Sequence, residues 1–276
     1  MTEDKLRSHE AAPAGIDISI PSSPRIWNYW LGGKDNYAVD RAAGDDFVRM
    51  YPPIVDIARG SRGFLERAVS HLAGEAGVRQ FLDIGTGLPT FNNTHQVAQR
   101  VAPDARIVYV DNDPVVLAHA RSLLVGTRKG STSYIDADLR EPDRILGMAR
   151  ETLDFDQPIA LILLNILGHI PTVAQAGSIV RQLVDALPAG SYLVSADGTN
   201  VIDHDAFTAA IDFWNSVGSL SYHLRTPDEL ATYFEGLTLL EPGIVSCPRW
   251  RPNSHLDRVA DVDEFGGVGR KDAPGV

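Results

Sequence analysis

The chain has 276 residues, 44% of them hydrophobic, and a formal net charge of -11 from 25 Lys and Arg against 36 Asp and Glu. That length supports one main domain with a well-filled core, and the acidic balance argues against general affinity for nucleic-acid phosphate. The single Cys247 excludes an intrachain disulfide framework and a cysteine metal cluster, and no run has the apolar length of a signal or membrane span; a soluble cytoplasmic protein is expected.

In chain order, the first informative segment is Pro24-Arg25-Ile26-Trp27-Asn28-Tyr29-Trp30-Leu31-Gly32-Gly33-Lys34-Asp35-Asn36-Tyr37, followed by a helix-like stretch from Asp40 to Met50. Three large aromatics and a glycine pair exceed what a linker needs. The segment reads as a lid over the cofactor end of a sheet. The competing reading is an arm in which Trp27, Trp30 and Tyr37 anchor to the core without ligand contact. Residues 1–60 are accordingly assigned to an N-terminal arm and lid, and 61–276 to the main domain.

From Ser61 to Leu72, apolar Phe64, Leu65, Ala68, Val69 and Leu72 share one helical face. Strands are then expected near 80–84, 106–111, 132–136, 159–164 and 191–195, with helices near 93–101, 114–124, 141–150 and 172–186 between them. Continuous apolar runs such as Ile159 to Leu164 belong to strands covered on both faces. Helices near 204–217 and 227–234, an apolar segment Leu237 to Val245 and a tail strand near 265–270 complete the pattern. The expected fold is a doubly wound α/β domain with a mostly parallel seven-stranded sheet and an N-terminal helical and aromatic lid.

Two strand ends carry the ligand chemistry. The first run stops at Asp83-Ile84-Gly85-Thr86-Gly87, the second at Asp111-Asn112-Asp113-Pro114. Gly85 and Gly87 allow backbone to approach a ligand closely, and Asp111 stands where a carboxylate accepts from both hydroxyls of a ribose. A dinucleotide fingerprint would place a third glycine at Thr90 to pack the helix under a pyrophosphate. Asp83 would repel that pyrophosphate and favour an ammonium or sulfonium group. The pattern therefore points to S-adenosylmethionine rather than NAD. Asp113 with Pro114 reads as the cap of the following helix.

The strings Tyr29 to Tyr37, Phe81 to Thr90 with Asn93-Thr94-His95, and Tyr109 to Leu117 resemble a bacterial S-adenosylmethionine-dependent methyltransferase family catalogued as DUF574, and Asp138 to Pro142, Leu224 to Pro227, Trp250-Arg251-Pro252 and Gly267 to Arg270 extend the resemblance over nearly the whole chain. It implies a Rossmann-like class I methyltransferase fold with S-adenosyl-L-methionine as cofactor. Asp83, Ile84, Gly85, Thr86 and Gly87 would line the methionine end, Asp111 the ribose, and Asn112, Val116, Asp138 and Leu139 the adenine. Asn165 and the lid residues Gly33, Lys34, Asn36 and Tyr37 would complete the site. Asp138 has a rival reading as a turn cap before Pro142.

Catalysis has no comparable signature. His169, after the fourth strand, titrates in the right range for a base but reads equally well as a packing or capping residue. The family's histidine falls at the position of Gly168, with an aromatic where His169 stands, and a further family histidine is replaced in the Asp197-Gly198 region. An Asn/Asp-Pro-Pro-aromatic motif for amino groups of nucleic acids or proteins is missing, as are metal-ligand spacings among His95, His119, His169, His204 and His223. The expected function is methyl transfer to a small-molecule acceptor. The alternative is a non-catalytic protein that binds S-adenosylmethionine or S-adenosylhomocysteine and regulates a partner.

Overall fold

The computed structural model describes residues 17–123, 127–217, 220–252 and 260–273. Five parallel strands, β1 (Gln80–Ile84), β2 (Arg106–Asp111), β3 (Ser131–Asp136), β4 (Ala160–Leu164) and β5 (Tyr192–Gly198), lie where the apolar runs place them. Leu82, Val108 and Leu161 point to one core and Phe81, Ile107 and Ile162 to another, so both sheet faces are dry. With β6 (Thr238–Leu239), β7 (Val245–Ser246) and β8 (Glu264–Arg270), the strand order is β3-β2-β1-β4-β5-β8-β6, with β7 also on β8. It reverses between β1 and β4, the place where a doubly wound sheet opens a crevice beyond its carboxyl ends.

The sheet has eight strands, one more than expected. The segment Leu237 to Val245 is not one strand but two short ones, β6 (Thr238–Leu239) and β7 (Val245–Ser246), separated by a turn in which Gly243 adopts φ +84°. Both pair antiparallel with β8 (Glu264–Arg270), which runs antiparallel along β5 and sets Glu264 opposite Gly198.

Around the sheet run α1 (Ser23–Trp30), α2 (Ala38–Met50), α3 (Ile54–Gly74), α4 (Thr94–Val101), α5 (Pro114–Leu123), α6 (Pro142–Ala149), α7 (Val173–Asp185), α8 (His204–Val217) and α9 (Pro227–Thr232). α3 begins seven residues before the helix expected from Ser61. Its buried face continues upstream through Ile54, Ile57 and Ala58, but Gly60 and Gly63 interrupt the sequence pattern. Gly60 is packed rather than loose, since a methyl there would stand 3.3 Å from Pro248 Cγ. The division drawn between residues 60 and 61 falls inside this helix, so arm and sheet share α3.

A third core joins the arm to α8 over the carboxyl ends of the strands: Ile26, Trp30, Phe47, Tyr51, Ile57, Phe207 and Ile211. One buried ion pair fixes its geometry. Arg25 Nε lies 2.8 Å from Asp40 Oδ2, and Asp40 also accepts the backbone N–H groups of Ser22 and Tyr37 at 3.0 and 2.8 Å. Removing either partner would strand a buried charge.

Candidate active site

The first wall of the site is the turn after β1. Gly85 and Gly87 have φ of +75° and +61°, a left-handed conformation that side chains resist. The turn is tied to the end of β2: Gly85 N–H donates to Val110 O at 2.8 Å and Gly87 N–H to Asp111 Oδ2 at 2.9 Å. Asp111 Oδ1 accepts Asp113 N–H at 2.9 Å, leaving each oxygen one amide and further lone pairs. Asp113 Oδ1 accepts Val115 N–H at 2.7 Å and so caps α5, while its Oδ2 accepts the Ser22 hydroxyl of the arm at 2.9 Å.

Two opposite charges sit on the floor. Asp83, the penultimate residue of β1, accepts the Thr94 hydroxyl from the first turn of α4 at 2.6 Å. Arg62 reaches down from α3 and donates through Nη2 to Thr90 Oγ1, Asn93 Oδ1 and Phe91 O. Burial raises Asp83 to about 6, against the lowering influence of the Thr94 hydrogen bond and the Arg62 charge. Burial also raises Asp111 to about 6, although the Asp113 and Gly87 amides favour its ionised form. A cation or hydrogen-bond donor beside either carboxyl would therefore favour its ionised form.

The far wall comes from the loop after β4. Asn165 holds φ +54°, fixed by its N–H to Ala196 O at 2.8 Å and by Nδ2 donating to Ser61 Oγ and Glu264 Oε1, each at 3.0 Å. Gly168 N–H donates to buried Asp197 Oδ1 at 3.0 Å, and Tyr222 O–H donates to the same oxygen at 3.0 Å. A side chain at Gly168 would press within 2.4 Å of the Tyr222 ring, so a histidine is excluded there in this packing. His169 Nδ1 lies 2.9 Å from Ser221 O; because a carbonyl only accepts, Nδ1 carries the proton. Burial lowers the pKa of this ring, which favours the neutral form with Nε2 basic.

The walls enclose a cleft of about 180 Å³, and an apolar pocket of about 60 Å³ opens beside it between the arm and α8. Ser23, Trp27, Asn165 and His169 line both cavities.

The model of the S-adenosyl methyltransferase family matches residues 9–272. The chain belongs to this family. Its structure is similar to a DUF574 family protein from Streptomyces avermitilis, with a TM-score of 0.88, 42% identity, and coverage of 92% of this chain and 99% of that one. A solved protein from Thermobifida fusca is similar at a TM-score of 0.86 and 38% identity, over 95% of this chain and 98% of the other. No curated protein matches the chain. Class I methyltransferase architecture and S-adenosyl-L-methionine as cofactor follow, as the resemblance implied.

The residues of this S-adenosyl methyltransferase fit that cofactor. Its amino-acid end is a zwitterion, and the cleft offers Asp83 beside Arg62, whose Nε is buried and has no hydrogen-bond partner among the described residues. A methyl group on Gly87 would meet nothing within 4 Å, so the turn leaves open space beside this backbone in the cleft lining.

Of the residues expected in the site, the cleft brings together Asp83, Gly85, Thr86, Gly87, Asp111, Asn112, Asn165 and His169. Ile84, Val116 and Leu139 are instead buried in the core, Val116 against Leu88 and Val115. Asp138 does not line the cleft; both its oxygens are engaged by Arg140, and Oδ2 also accepts Asn112 Nδ2 at 3.0 Å. Gly33, Lys34, Asn36 and Tyr37 also lie outside the lining. The arm enters the cleft through Ser23, Pro24, Trp27, Asn28 and Leu31. Asn28 explains the Gly-Gly-Lys-Asp-Asn-Tyr string: its Oδ1 accepts Asp35 N–H and Asn36 Nδ2 at 3.0 Å each, and a methyl on Gly33 would collide with it at 2.4 Å. Tyr37 caps α2 beneath the Arg25 guanidinium.

Arg62 was not foreseen. Its sequence signal is a cation three residues before Leu65, at the edge of an apolar helical face. Among the described residues no group of three or more His, Cys, Asp or Glu side chains could hold a metal, and no helix is long and apolar enough to cross a membrane.

Proposed function

We propose that this protein transfers a methyl group from S-adenosyl-L-methionine to a small-molecule acceptor held between the arm and α8. The observation that carries the reading is the junction of the two cavities at Ser23, Trp27, Asn165 and His169. A cofactor in the larger cleft supplies an electrophilic methyl group on a sulfonium. Asp83 takes its ammonium, Arg62 its carboxylate and Asp111 the ribose hydroxyls, with Asn112 beside the adenine. Alignment of the acceptor then does much of the catalytic work, and water is kept out by the Trp27 and Leu31 side of the arm.

Related proteins from Streptomyces avermitilis and Thermobifida fusca support a bacterial origin. The buried free thiol of Cys247 suits a reducing cytoplasm. The net charge of -11 supports a metabolite rather than a nucleic acid as partner.

Calorimetry with S-adenosylmethionine, S-adenosylhomocysteine and NADH tests the cofactor roles. Both adenosyl ligands bind, and Asp111→Ala or Arg62→Gln weakens them by about 1–3 kcal/mol, the cost of unpaired buried polar groups. Tight binding of NADH alone overturns the reading. Transfer of a labelled methyl group into a metabolite extract tests turnover, and binding without any transfer would leave a regulatory binding protein.

A further inference from the structure

We propose that the acceptor is an uncharged, planar aromatic compound whose hydroxyl group rests against His169 Nε2 in the pocket between the arm and α8. The proposal rests on the methyltransferase reading above and names its substrate class. Trp27, Trp30, Phe47, Phe207, Ile211 and Trp214 line the pocket, and no Lys, Arg, Asp or Glu among the described residues does so. A charged ligand would surrender its hydration there without a counter-charge. A flat ring loses little hydration and gains stacking area.

Three polar groups of the wall are already committed. The indole N–H of Trp30 donates to Gly44 O at 3.3 Å and that of Trp214 to Leu220 O at 3.2 Å, while the Tyr222 hydroxyl donates to Asp197 and accepts Gly198 N–H at 2.9 Å. Apart from the Trp27 indole N–H, these rings offer faces and edges. They also touch one another: Trp27 with Trp30 at 5.8 Å, Trp30 with Phe47 at 5.4 Å, and Phe47 with Trp214 at 6.2 Å between centroids. Neighbouring rings meet at interplanar angles of 68°, 58° and 72°, so they pack edge against face and line the pocket as a contiguous apolar surface.

His169 supplies the directional contact. Ser221 O holds Nδ1 as the donor, so Nε2 keeps its lone pair, and no described residue hydrogen-bonds to it. His169 lines both cavities, so a hydroxyl against it stands where the cleft delivers the methyl group. The bonds balance without a further reactant. The acceptor oxygen forms a new C–O bond as the C–S bond breaks with its electron pair staying on sulfur, and the O–H proton passes to His169 Nε2.

The test uses the full chain saturated with S-adenosylhomocysteine, whose own binding is measured first by calorimetry. One- and two-ring phenols, their deoxy parents, and ring carboxylates and ring amines of matched size are titrated, read by tryptophan fluorescence and ligand-observed NMR. Phenols bind at least about tenfold tighter than the charged analogues. His169→Asn, whose amide can still donate to Ser221 O, weakens phenols about tenfold and leaves the deoxy parents unchanged. Ile211→Phe narrows the slot and weakens every ring, which keeps the proposal testable should the histidine variant fail to fold. Equal or tighter binding of amines or carboxylates, equal weakening of phenols and parents by His169→Asn, or no ring binding at all overturns it. Failure of S-adenosylhomocysteine to bind would overturn the methyltransferase reading instead, and the same titration on the ligand-free chain would still judge the pocket.

Discussion

The Ser22 hydroxyl donates a 2.9 Å hydrogen bond to Asp113 Oδ2 and thereby ties the entry of the arm to the acidic end of β2. This contact joins residues 91 positions apart, next to the cleft that Ser23 and Asp113 line. Ser22 also places its backbone N–H on Asp40, so one residue links the latch to the buried Arg25–Asp40 pair. Ser22→Ala removes the latch and leaves the backbone bond. Its expected cost is about 1 kcal/mol in arm closure. Amide hydrogen exchange along α1 should rise several-fold, and S-adenosylhomocysteine should dissociate faster; unchanged exchange across 23–31 would show that apolar packing alone holds the arm.

Cofactor affinity should depend on pH through Asp83 and Asp111, both raised to about 6 by burial. The bound ammonium and ribose hydroxyls favour the ionised carboxylates, so binding below pH 6 requires each group to lose a proton. Affinity is therefore full above about pH 7 and falls as pH drops through 6, by up to about one log unit per pH unit for each carboxylate. Asp83→Asn should bind more weakly at neutral pH yet show a shallower decline. Calorimetry from pH 5 to 8 checks both, and a flat profile for the parent protein would remove these carboxyls from the site.

What could be read from residue order was local. Continuous apolar runs that stop at Asp83 and Asp111 announced β1, β2 and the ligand side of the sheet, because strand burial and acid placement are both encoded within a few residues. Arg62 is not legible in the sequence, because its contacts form only where α3 meets Thr90 and Asn93, 28 and 31 residues away. The Gly33 to Tyr37 string was legible as more than a linker, but its task, buttressing Asn28, depends on a chain reversal that no spacing rule reveals. At Asp138 the sequence supports both an adenine contact and a turn cap, because its bonds to Arg140 and Asn112 form only in the fold.

The two glycines of the cofactor turn should separate folding from binding. Alanine at either position costs about 1–2 kcal/mol for the left-handed backbone. At Gly85 the new methyl would also stand 2.7 Å from Ile166 Cγ1, forcing the β4 loop to shift. At Gly87 it meets nothing within 4 Å and projects into open space beside the cleft. Gly85→Ala should lower the melting temperature more than Gly87→Ala, while Gly87→Ala should lose most cofactor affinity in a protein that still folds. Normal binding by folded Gly87→Ala would mean that the ligand does not approach this backbone.

Stability itself should fall as pH rises, because of carboxyls buried behind Asn165. Burial raises Asp197 from its ordinary 3.8 to about 7 and Glu264 from 4.5 to about 8, and the Asp197 charge adds to the rise at Glu264. Asp197 Oδ2 and Glu264 Oε2 are buried and have no hydrogen-bond partner among the described residues, as neutral carboxyl groups tolerate better than charged ones. The unfolded chain ionises such groups near pH 4, so between about pH 4.5 and 8 the folded state holds more protons. Stability then declines as pH rises through that window. Glu264→Gln keeps an oxygen to accept from Asn165 and cannot ionise. Relative to the parent, this variant should gain with rising pH, by up to roughly 1 kcal/mol per pH unit. Denaturant midpoints at pH 5, 6.5 and 8 measure the difference directly; a constant offset between the two proteins would show that Glu264 ionises in the folded chain as it does in the unfolded one, and that Asn165 is held by a carboxylate.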